Sequence, residues 1–155
     1  MTSALVTIRF TSKCHIGSYI AGFLTQSRDF NHCMLLDGDT AYEAVPSGVR
    51  AVHVDVAMRG VKRYQDMQIM VEDIEAMRAF GCAQIGKGYD WLGAVGLPLL
   101  RSGDWQSDYR WWCSEHNFAM LGAGKTWLLD PTEQSWISPN DLHQCNYPKS
   151  RIIRL

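Results

Sequence analysis

At 155 residues, with six Trp and six Tyr, the chain is long enough to bury one core without staples and too aromatic to be disordered. A formal net charge of −1 with no basic stripe argues against nucleic acid as a partner, and no run reaches the roughly 18 apolar residues of a membrane span. The N-terminus lacks the basic and apolar regions of a signal peptide, and five cysteines (14, 33, 82, 113, 145) without paired spacing point to free thiols. A cytoplasmic location is therefore expected, with non-classical export or packaging in a larger particle as alternatives.

Taken in chain order, Leu5–Phe10 alternates and reads as a strand. Ile16–Leu24, interrupted by Gly17 and Gly22, reads as a short helix. The apolar run Cys33–Leu36 ends at Asp37-Gly38-Asp39, a strong turn signal, so Thr40–Val45 should return antiparallel before Pro46-Ser-Gly48 turns again. From Val52 the alternation of Val52, Val54, Val56 and Met58 with His53 and Asp55 predicts a half-buried strand, with His53 on its solvent face. Glu72-Asp73 opens a helix with Ile74, Met77, Phe80 and Gly81 on one side and Glu75 and Arg78 outward, ending near Gly86-Lys-Gly88.

Tyr89–Leu100 is apolar and glycine-punctuated, with no form assigned, and Arg101–Ser107 is a polar loop. A helix then starts at Cys113. Ser114, Glu115 and Asn117 suit its first turn, Phe118, Met120 and Leu121 supply an apolar face, and Gly122 is a natural stop. Trp127–Leu129 is expected as a short strand, Ser138–Asp141 as a turn or helix start, and Arg151–Leu155 as a last strand. Strands and helices in separate runs, without repeats or linkers, indicate one α+β domain over residues 1–155.

A thiol at a helix N-terminus sees unpaired N–H groups and the positive end of the dipole, both of which favour thiolate. That is where a cysteine nucleophile belongs, although an isolated cysteine is more often a small buried hydrophobe. A nucleophile needs a base and the base needs an orienting group. His32 opens an apolar strand after a polar turn, and a hairpin about residues 37–39 brings Glu43 near it. His116, one turn after Cys113, is able to face either a cleft or solvent. A shared metal is disfavoured, because the adjacent His32 and Cys33 should point to opposite sides of their strand. The aromatic belt of Trp91, Trp105, Trp111 and Trp112 is mostly core by default, with a subset free to flank a cleft.

Five stretches together resemble the circularly permuted branch of the NlpC-type papain-like superfamily, the YiiX-like proteins, in which the histidine strand precedes the cysteine helix. They are Asn31-His32-Cys-Met-Leu, Tyr42-Glu43-Ala44 with Pro46-x-Gly48-Val49, Gly-Lys-Gly-Tyr89-Asp90-Trp, Trp112-Cys113-Ser114-Glu115 and Ser-Pro-Asn-Asp-Leu142. The resemblance implies a papain-like antiparallel sheet packed against helices, with Cys113 as nucleophile, His32 as general base and acid and Glu43 as third residue. Tyr89 would line the cleft, with Trp112 and Ser114 as further substrate contacts. His116-Asn117 stand where relatives continue with aliphatic residues, which leaves a polar wall near the nucleophile.

The expected activity is hydrolysis of an amide or related acyl bond in a small peptide, amide or acyl substrate, with no cofactor or metal and no stable membrane insertion. The rivals are a lipid-directed acyltransferase or thioesterase on the same fold, and a non-catalytic scaffold or particle component.

Overall fold

A computed structural model describes residues 2–13, 30–90, 109–130 and 137–155. The helix expected over Ile16–Leu24, the Arg101–Ser107 loop, most of the Tyr89–Leu100 segment, Cys14, His15, Trp91 and Trp105 lie outside the described residues.

The fold is α+β. Six antiparallel strands form a sheet in the order β4-β3-β2-β1-β5-β8, with β1 Ala4–Lys13, β2 His32–Asp37, β3 Thr40–Val45, β4 Gly48–His53, β5 Val61–Val71 and β8 Ile153–Arg154. A second, two-stranded sheet pairs β6 Gly88–Tyr89 with β7 Arg110–Trp111 in parallel. Strand alternation sorts the side chains. Val6, Ile8, Phe10, Cys33, Leu35, Tyr42, Met67 and Ile69 face one side and join Ile74, Met77, Phe118, Met120 and Leu121 in the main core. Met34, Leu36, Ala41 and Ala57 form a smaller cluster on the other side.

Four helices are described: α1 Val54–Ala57, α2 Ile74–Gln84, α3 Cys113–Ala123 and α4 Pro139–Gln144. The strand expected to run on from Val52 stops at His53. Val54–Ala57 turns into α1, with the His53 imidazole Nδ1 accepting the Asp55 N–H at 3.3 Å. Covering the small apolar cluster outweighs the alternating pattern there. The Trp127–Leu129 strand does not form either. The Trp127 indole instead lies against Gly122, where an added Cβ would meet its ring at 2.3 Å. Gly122 is consequently a packing glycine inside α3, and Gly124 is the C-cap.

Helix α3 is not amphipathic: Cys113 to Leu121 are all buried, polar residues included. It packs against β2, β3 and α2, the central position of the molecule. Among the described residues no helix is long and apolar enough to cross a membrane.

Candidate active site

The β2–β3 ladder runs from Asp37↔Thr40 only to Leu35↔Tyr42. His32 and Glu43 lie beyond its last rung, where the start of α3 meets both strands. Trp112 is the N-cap of α3 and makes no side-chain cap bond, so no capping side chain takes up the first-turn N–H groups. Trp112 Nε1 and Ser114 Oγ both donate to the Ile137 carbonyl, at 3.0 and 2.6 Å. Directly after Ile137, Ser138 and Asp141 form the capping box that starts α4. The polar side-chain atoms of Trp112 and Ser114 thus tie the nucleophile's turn to the C-terminal segment.

The structure brings Cys113, His32 and Glu43 together. His32 Nε2 bonds Glu43 Oε2 at 2.8 Å, and the same imidazole interacts with the Cys113 thiol. Burial would lower the His32 pKa, but the hydrogen bonds and charges of Cys113 and Glu43 outweigh it and raise it to about 9. Burial likewise opposes Glu43 ionisation, yet His32 and Arg50 hold its carboxyl down at about 2. Cys113 is held well below an ordinary thiol, first by a hydrogen bond from Cys33 and then, against burial, by His32. The favoured resting state is therefore a thiolate beside an imidazolium.

Two participants were not expected. Arg50 lies across the β3–β4 register from Glu43 and donates Nε and Nη2 to Oε1, at 2.9 and 2.6 Å. Cys33 is fully buried against Cys113; burial, then the neighbouring thiolate, push its own thiol well up, so it stays protonated and donates. Although adjacent on β2, Cys33 and His32 both act on the Cys113 thiol.

Tyr89 is positioned by backbone pairing, across from Trp111 in the two-stranded sheet. Gly48 has φ +113° and would place a Cβ 2.6 Å from the Lys87 carbonyl, so a glycine lets residues 86–88 seat on β4. There Val49 N–H donates to Lys87 O at 2.8 Å and Gly86 N–H to Val49 O at 2.9 Å. Burial, then the Cys113 charge, raise the Tyr89 hydroxyl pKa, so it stays protonated.

The other described histidines are elsewhere. His116 faces neither cleft nor solvent: it is fully buried against Trp111, and burial lowers it to about 4. His143 Nε2 is 2.8 Å from Gln65 Oε1, with its ring beside Phe10 and Phe30. His53 caps α1.

Comparison with known proteins finds no matching family model and no matching curated protein. The functional reading therefore stands on the site itself.

Proposed function

We propose that the chain is a cysteine hydrolase of the circularly permuted NlpC-type papain-like kind, cleaving an amide or related acyl bond. The observation that carries this is the unbroken contact Cys113–His32–Glu43, with the thiol at the first residue of a buried helix. The Cys113 thiolate attacks the substrate carbonyl carbon. Backbone N–H groups at the start of α3 receive the developing oxyanion, assisted by the Tyr89 hydroxyl at the cleft wall. Protonated His32 then gives its proton to the leaving amine or alcohol, and the C–N or C–O bond breaks. His32, now neutral, takes a proton from water, whose oxygen attacks the acyl-enzyme and frees the acid and the thiolate. This sequence draws on no cofactor. A working thiolate has to stay reduced, which suits a cytoplasmic location.

The test is a panel of peptide, amide and thioester substrates with Cys113→Ala as control. Hydrolysis should fall at least about a thousandfold in the variant. Turnover that survives the substitution removes the assignment. Acyl groups recovered on an added acceptor rather than as free acid would move the reading to acyl transfer.

A further inference from the structure

Glu43 is fully buried, and its two oxygens serve different partners. Arg50 sends both Nε and Nη2 to Oε1, so Oε2 is left whole for His32. The same Nε/Nη2 edge can take both oxygens of a carboxylate, as Arg78 does with Asp37 at 2.6 Å to Oδ2 and 3.0 Å to Oδ1. Engaging Oε1 alone does two things. It fixes the carboxylate's rotation with Oε2 toward the imidazole, and it supplies a permanent positive charge beside a carboxylate that burial would otherwise protonate. A protonated Glu43 no longer supports an imidazolium, and without the imidazolium the thiolate loses its counter-charge.

We infer that Arg50 is a positioning residue, orienting Glu43 and holding it as an anion, and that it thereby sets the acid limit of the range in which Cys113 is a thiolate. The inference deepens the thiol-hydrolase reading and rests on it. The ionisable groups facing this chain of contacts are Arg50 on β4, His32 and Cys33 on β2, Cys113 on α3, and Tyr89 with Asp90 at β6. Arg50 is the guanidinium among them.

The experiment is the rate of Cys113 alkylation by iodoacetamide from pH 4 to 9 in the full chain, with Arg50→Ala and Arg50→Lys beside the wild type. Arg50→Ala should move the acid limb up by about one pH unit or more, read as about tenfold slower labelling on the limb. Arg50→Lys should fall between, because it returns the charge without the fork. A purely structural role would lower the melting temperature and leave the limb in place, and a coincident limb in a folded variant overturns the inference. If Arg50→Ala loses its near-UV circular dichroism, Arg50→Lys and Arg50→Gln read the same limb. Wild-type Cys113 labelling no faster than the exposed Cys82 would instead show that the hydrolase reading itself fails, and this inference with it.

Discussion

Two arginine–carboxylate pairs bridge neighbouring strands of the same sheet and use the same chemistry to different ends. Arg9 on β1 meets Asp66 on β5 across a direct register pair, Nε to Oδ1 at 2.7 Å and Nη2 to Oδ2 at 2.8 Å. Both carboxylate oxygens are occupied, the guanidinium lies over the Tyr64 ring, and the side chains are 16% and 24% exposed. Arg50 and Glu43 are also a direct register pair, but Glu43 is 0% exposed and the guanidinium engages one oxygen only. The first pair is closed and holds two strands together. The second is open at Oε2, and its charge continues through His32 to Cys113. What separates them is the spare acceptor and the depth, not the residue types.

The largest contrast should appear in stability. Removing the Glu43 carboxylate leaves Arg50 and His32 without their shared partner, so Glu43→Ala should cost on the order of 3 kcal/mol. Asp66→Ala, at a pair in contact with water, should cost about 1 kcal/mol or less. Urea denaturation of both variants checks the difference, and equal losses would erase the distinction between the pairs.

A smaller effect lies in the pH dependence of folding. Glu43 is lowered from 4.5 to about 2, so between those values the unfolded chain binds a proton that the folded chain does not. Its contribution is complete above pH 4.5 and lost as pH falls toward 2. His32, raised from 6.5 to about 9, has the opposite sign and alone would lose stability as pH rises through that window. Cys113, lowered from 9.0, gains stability over the same window, because the unfolded thiol keeps the proton that the folded one has released. The two contributions oppose each other between pH 6.5 and 9, whereas nothing cited offsets the loss from Glu43, so urea midpoints should fall below pH 4.5. Glu43→Gln should flatten the acid slope; an unchanged slope would place the titrating group elsewhere.

The smallest predicted effect concerns Cys33. Its thiol donates to the Cys113 sulfur, so Cys33→Ala should raise the Cys113 pKa and slow its alkylation at pH 6 severalfold. Cys145, whose thiol burial first of all raises, serves as the internal comparison and should remain slow in both proteins. An unchanged Cys113 rate would reduce Cys33 to packing.

Local signals carried the elements that local chemistry determines. The Asp37-Gly38-Asp39 turn fixed the β2–β3 hairpin, and the apolar spacing of Ile74, Met77 and Gly81 fixed α2. Strand β5 left no such trace: Arg63-Tyr-Gln-Asp66 breaks its alternation, and the strand is held by its long pairing with β1. The polar first turn of α3 gave no sign of its burial, which comes from packing against β2, β3 and α2. Arg50 was within reach of hairpin arithmetic. A turn at Pro46-Ser47 with Val45 facing Gly48 puts residue 43 opposite residue 50. Cys33 was not, because its meeting with Cys113 depends on where α3 docks along β2, a long-range fact that no local pattern encodes.

If Cys113 rests as a thiolate stabilised by His32, residue-resolved alkylation will read that charge. Wild-type protein and His32→Ala are treated with iodoacetamide at pH 6 and every cysteine is followed by mass spectrometry. Cys113 should be modified well ahead of the exposed Cys82 in the wild type, and His32→Ala should slow it by about a hundredfold as its pKa returns toward that of a free thiol. Cys113 labelling no faster than Cys82, or an advantage that survives the loss of His32, would contradict a thiolate stabilised by His32.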